Sequence, residues 1–84
     1  MIKIKEGDDS WETFEKIYYS SPKNEEVIVD LSERETMTTI WAKEVFGLLY
    51  YCLGKETYNQ NIKIIGAKEE IKQIIEIGIE KFLK

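Results

Sequence analysis

Apolar residues recur along this chain with two periods, two and about three and a half, and the periods take turns. Ile2 to Lys5 reads IKIK, a strict alternation that predicts a strand. Gly7 breaks it, and Asp9 or Ser10 is placed to cap a helix with Glu12 in its first turn. Trp11, Phe14, Ile17 and Tyr18 then recur at three- and four-residue spacing, which gathers them on one helical face. Pro22 stops that helix, because it disfavours helical backbone at Ser21. Glu26 to Leu31 (EVIVDL) is the second predicted strand. The second helix carries Met37, Ile40, Trp41, Val45, Leu48, Leu49, Cys52 and Leu53 on its main apolar face, with Phe46 and Tyr50 further round. Gly54 is placed to end it in a left-handed cap. Asn61 to Ile65 forms the third strand, and Gly66 leads into a last helix with an apolar stripe from Ile71 to Leu83.

Strand and helix alternating in this way predict an α/β fold, β-α-β-α-β-α, with a mostly parallel three-stranded sheet and right-handed crossovers. The strands also predict which side the helices take. One face presents Ile2, Ile4, Val27, Val29, Leu31, Ile62 and Ile64; the other presents Lys3, Lys5, Ile28, Asp30, Lys63 and Ile65. A sheet covered on both faces reads as nearly continuous apolar runs, and these strands do not. The helices are therefore expected mainly on one face, leaving Ile28 and Ile65 as an apolar patch on an open one.

Length makes the chain a single domain spanning residues 1–84, and at that size roughly 60–65% of the unfolded surface is buried. The formal charge of −4 comes from interspersed residues, and Arg34 is the one arginine. No basic cluster of the kind that tracks a phosphate backbone is present, which argues against nucleic acid as a partner. Histidine is absent and Cys52 is the single cysteine. That removes disulfides, imidazole and thiolate zinc sites, and Ser–His or Cys–His nucleophile pairs, so no cofactor and no enzymatic activity are expected. The N-terminus lacks a secretory pattern, and VFGLLYYCLG is far shorter than a membrane span. A cytoplasmic protein without a membrane partner is expected.

Candidate chemistry concentrates where the second strand meets the second helix. Thr38 and Thr39 lie at the predicted helix start, where unpaired amides and the macrodipole favour a phosphate. The plainer alternative is that one threonine is an N-cap and the other a bystander. Ser32-Glu33-Arg34-Glu35 also has capping-box spacing, but the later start is preferred. Asp30 closes the central strand, where a carboxylate serves either a ligand or the loop amides that follow. Cys52, Trp11 and Trp41 read as core residues. Adjacent Tyr50 and Tyr51 cannot both enter one core, so one of them, with Phe46, is expected at an exposed or partner-covered surface.

The segments VIVDLS, TTIWAKEVFGLLY and NIKIIGAKEEIKQII resemble the STAS domain, the fold of anti-sigma-factor antagonists, and most closely the compact prokaryotic STAS-like family of unknown function. The likeness runs from about Val27 to Leu83. It implies a non-catalytic regulatory module working through a protein partner, kinase-like or otherwise regulatory. In antagonist STAS domains the helix start reads Asp-Ser-Ser-Gly, and a serine there accepts phosphate from a partner kinase. Laid onto this chain, those positions fall on Thr38, Thr39, Ile40 and Trp41, so Ile40 stands where the acceptor serine would be. Thr39 is then the candidate phosphoacceptor, with Thr38 beside it. Glu33 and Arg34 replace the usual Gly-Val after the DLS stretch. The candidate docking residues are Asp30, Ser32, Glu33, Arg34, Thr38 and Thr39, together with Tyr50 and Tyr51. The alternative is a homodimer or assembly subunit that associates through the open sheet face at Ile28 and Ile65.

Overall fold

Three strands lie side by side in the order β1 (Ile2–Lys3), β2 (Val27–Asp30), β3 (Ile62–Ile65), all parallel. The computed structural model describes residues 1–84. Ile2 sits beside Val29, and Val27 to Asp30 run in register with Ile62 to Ile65. Between the strands come α1 (Ser10–Tyr18), then α2 (Thr39–Ala42), a π-helical turn (Lys43–Gly47) and α3 (Leu48–Leu53) as one continuous rod, then α4 (Lys55–Asn61). After β3 comes α5 (Glu69–Leu83). Because both crossovers step the same way across the sheet, right-handedness puts their helices on the same side. Burial agrees: Ile4, Val27, Val29, Leu31 and Ile62 are buried under the helices, while Ile28 and Ile65 remain exposed on the far face.

The helix starts follow their sequence signals. Asp9 caps α1, its carboxylate accepting from the Glu12 amide at 3.0 Å. Thr38 caps the rod, its hydroxyl accepting from the Trp41 amide at 3.1 Å, which places the start at the later of the two predicted positions. Gly54 ends the rod at φ 85°. The short α4 that follows, KETYNQN, has no apolar period in its sequence; Tyr58 is its one buried residue. Asn61 at its end donates to the Pro22 carbonyl at 2.6 Å, tying α4 to the connection before β2.

The π turn corrects the apolar face expected for the rod. Its i→i+5 pattern, seen where the Leu48 amide donates to the Lys43 carbonyl, takes in one extra residue and rotates the downstream faces. Phe46, expected toward the outside, is fully buried, together with Val45 and Leu49. Cys52, expected in the core, is exposed. Ile40 is turned outward as well, in the first turn of the rod. Trp11 is also not a core anchor: it is 58% exposed and stacks on Phe14 from outside, with centroids 5.6 Å apart.

Where the rod crosses α5, the backbones nearly touch. A Cβ added at Gly78 would lie 2.8 Å from the Lys43 nitrogen and 2.9 Å from the Ala42 Cβ. One added at Gly47 would lie 2.7 Å from the Phe82 Cβ. Alanine at Gly78 would gain helix propensity worth about 1 kcal/mol but force the crossing apart, an overpacking cost of about 1–3 kcal/mol. Gly78→Ala is therefore expected to lower unfolding stability by up to about 2 kcal/mol net in urea denaturation, against the usual gain for a helical Gly→Ala change. A more stable variant would refute the close crossing.

Candidate functional site

The connection from β2 to the rod crosses the C-terminal edge of the sheet, and its stitches start at Asp30. The Asp30 carboxylate accepts from the Ser32 amide at 2.8 Å, the local turn a strand-ending aspartate offers. That hydrogen bond, with help from the Ser32 hydroxyl and the charge of Lys3, holds the Asp30 carboxyl below its usual range. Leu31 donates to the Ile65 carbonyl at 2.9 Å, and Ser32 rests against Gly66. At Gly66, φ is +71° and a Cβ would come within 2.8 Å of the Ser32 Cβ, so only glycine fits there.

Arg34 is the centre of the edge. It is buried to 7% exposure, although arginine is rarely buried unless its donors are matched. Its Nε donates to the Thr36 carbonyl at 2.8 Å, and Nη1 donates to the Lys5 carbonyl at 2.9 Å, beyond the end of β1. The guanidinium lies 4.2 Å from the Trp41 ring centroid, a cation–π stack, and 4.0 Å from a Glu6 oxygen. The Trp41 indole N–H in turn donates to the Asp8 carbonyl at 3.0 Å. Glu6 completes the join from the other side: it accepts from the Thr36 amide at 2.7 Å, the Glu35 amide, and the Thr36 hydroxyl at 3.1 Å. The Thr36 amide is the main reason its carboxyl is held below the usual 4.5, with the Glu35 amide, the Thr36 hydroxyl and the Arg34 charge adding to it.

Two exposed ion pairs flank this node. Lys3 reaches Glu33 at 3.3 Å, and Lys68, before α5, pairs with Glu35, which raises the lysine's pKa. Surface pairs of this kind contribute little energy but add two further tethers. The loop is thus fastened to β1, to the rod and to the start of α5.

The sequence-predicted residues fall into three groups. Asp30 and Arg34 are buried and their polar atoms are committed inward. Ser32, Glu33 and Thr38 are exposed on the rim, and Thr39 is half-buried. Tyr50 and Tyr51 lie far along the rod, away from this edge: Tyr51 is exposed against Phe82, and Tyr50 packs on Tyr58. Sequence reasoning missed Glu6 and the depth of Arg34. A lone arginine next to a tryptophan-bearing helix start was the available signal; the partner carbonyl of Lys5 lies 29 residues away in the chain.

The rim's chemistry is that of a fixed, hydroxyl-bearing surface. No group of three or more Cys, Asp and Glu side chains is placed to hold a metal ion, and no helix is long and apolar enough to cross a membrane.

Removing the guanidinium in Arg34→Ala takes the donor from the part-buried Lys5 and Thr36 carbonyls and leaves Trp41 unstacked, at a cost of about 2–3 kcal/mol. Chemical denaturation, with Trp41 emission followed in a Trp11→Phe background, measures it. Arg34→Lys should recover less than half, since an ammonium cannot serve both carbonyls and the ring. Glu6 supplies a pH dependence. With its folded pKa depressed, its contribution is complete above the ordinary value of 4.5 and lost as pH falls through the folded value. Glu6→Gln should therefore flatten the loss of stability below that pH, and an unchanged acid limb would contradict the Glu6 join.

Comparison with known proteins places this geometry. A family model described as the STAS-like domain of unknown function (DUF4325) matches residues 12–72, from α1 into α5. No curated protein and no solved structure matches the chain. The STAS-like fold is consistent with a regulatory, non-catalytic module. With a three-stranded parallel sheet, helices banked on one face and the match running over most of its length, the chain belongs to the STAS-like family of unknown function.

Proposed function

We propose that this protein is a regulatory interaction module whose partner docks on the rim from Ser32 to Ile40. The observation that carries the reading is an exposed apolar side chain on a pinned polar edge. Ile40 is 71% exposed in the first turn of the rod, while the backbone before it is held by Arg34 and Glu6. A surface fixed before binding loses little entropy on docking, and an apolar anchor ringed by hydroxyls and charges is the usual anatomy of an interface centre. By the family resemblance Ile40 also occupies the place of the acceptor serine, so the same spot would be read here through shape and burial.

Phosphorylation is the finer part of the proposal. Thr38 is the exposed hydroxyl of the pair, and Thr39 is half-buried. A phosphate on Thr38 would retain an acceptor for the Trp41 amide and add about −1.5 to −2 charges beside Ile40, altering docking by repulsion or by new pairing. The uncovered sheet face supports a second reading, a homodimer, because Ile28 and Ile65 are 36% and 45% exposed on neighbouring strands.

A photo-crosslinker at Ile40, compared with one at the exposed Lys16 on α1, tests the docking surface in cells. A discrete adduct from Ile40 and none from Lys16 is expected; equal labelling from both would sink the rim. Incubation with ATP and a co-encoded kinase-like protein, followed by peptide mass spectrometry, should place any phosphate on Thr38 ahead of Thr39. Light scattering of wild type against Ile28→Lys decides the second reading, and a monomer in both removes it.

A further inference from the structure

A groove of about 490 Å³ lies at the other end of the rod, between α3, α4 and α5. Its apolar lining comes from Tyr50, Tyr58, Ile64, Ile75 and Ile79. Three charged side chains of α5 and one amide line it as well: Lys72, Glu76, Glu80 and Asn59. The volume is that of a site for one or two side chains or a small ligand. None of the three charged groups takes part in an ion pair. Lys72, Glu76 and Glu80 follow one another at one-turn spacing, so Lys72 stands about 12 Å from Glu80 along the helix, and the end at Glu80 is acidic.

Tyr58 gives the groove its specificity. Its residue surface is only 7% exposed, yet its hydroxyl makes no hydrogen bond within the protein. No buried side-chain polar atom is left unpaired, so this hydroxyl must keep contact with the outside, and the groove it lines is the opening available. Burial, with Tyr50 beside it, pushes the phenol's pKa up, so it stays neutral and keeps both its proton and its lone pairs. Tyr50 and Tyr58 stand with ring centroids 5.2 Å apart and planes at 56°, two walls of a corner. The half-buried Tyr50 ring, the Tyr58 phenol oxygen and two carboxylates outside any ion pair are complementary to a cation carried on an apolar stem.

We propose that this groove receives a lysine or arginine side chain, flanked by apolar residues, from a partner protein. The apolar floor takes the stem and the flanking side chains. The charged head then meets the outer side of Tyr50, the Tyr58 oxygen and the Glu76–Glu80 carboxylates. This surface is separate from the rim and does not depend on the reading of Ser32 to Ile40.

Titration of isotope-labelled protein with acetyl-Leu-Arg-Leu-amide, followed by amide chemical shifts, tests it. Saturable shifts are expected on Tyr50, Asn59, Ile64 and Ile79, with none on Ser32 to Ile40. The double variant Glu76→Gln with Glu80→Gln, on an exposed helix face, should weaken binding about fivefold, and Tyr58→Phe about threefold. If Tyr58→Phe fails to fold, the double variant alone decides. Equal binding of acetyl-Leu-Glu-Leu-amide, equal binding by the double variant, or shifts centred on the rim would each overturn the proposal. So would saturation by n-butylguanidinium at the same concentration as the peptide, which would make the site one for small cations.

Discussion

Three parallel strands laid down in spatial order 1-2-3 never reverse direction across the sheet, and that constraint shapes everything built on it. A right-handed crossover that always steps the same way must return over the same face. The helices consequently crowd above a sheet only three strands wide, and none remains for the other side. Crowding explains the near-contact of the rod with α5 at Ala42, Gly47 and Gly78, where neither glycine has room for even a Cβ. It also gives the π turn a structural setting: Lys43–Gly47 occupies the stretch that α5 presses against, and its extra residue brings Phe46 into the core.

The same topology leaves the C-terminal edge of the sheet to be closed by loops. There the chain relies on polar joins in place of apolar packing. Arg34 is bound on one side by carbonyls of two different segments and on the other by an indole face, while Glu6 gathers the amides that Arg34 leaves over. The two residues act as opposite halves of one clamp. Its outcome is a loop whose backbone is fixed and whose outward side chains include Thr38, which caps the rod, and Ile40, which packs against nothing within the fold's core.

What the chain presents outward is several kinds of surface. The rim is polar and rigid with an apolar centre. The far sheet face is a mix of lysines and two isoleucines, and the groove is apolar with an acidic end. These surfaces sit at different ends of the molecule, so occupation of one does not exclude occupation of another. A small regulatory module can in this way take part in more than one contact without a second fold.

Periodicity alone determined the strand order of events, the one-sided apolar pattern and the threonine cap, because each depends on residues within a few positions of one another. Alternation in IKIK and VIVD fixes a face whatever the rest of the chain does, and Thr38 caps through an amide three residues on. Tertiary structure decided the rest. Cys52 and Phe46 exchanged environments because a wide helical turn at Lys43–Gly47, packed against α5, rotates the faces of the rod, and α4 formed around Tyr58 without a period of its own. Arg34 became buried because carbonyls at Lys5 and Thr36 converge on it. Hydrogen bonds and backbone approaches between segments distant in the chain obey geometry that no local pattern encodes; the join of Arg34 and Glu6 across the edge, the glycine crossing and the groove closed by α5 all depend on them.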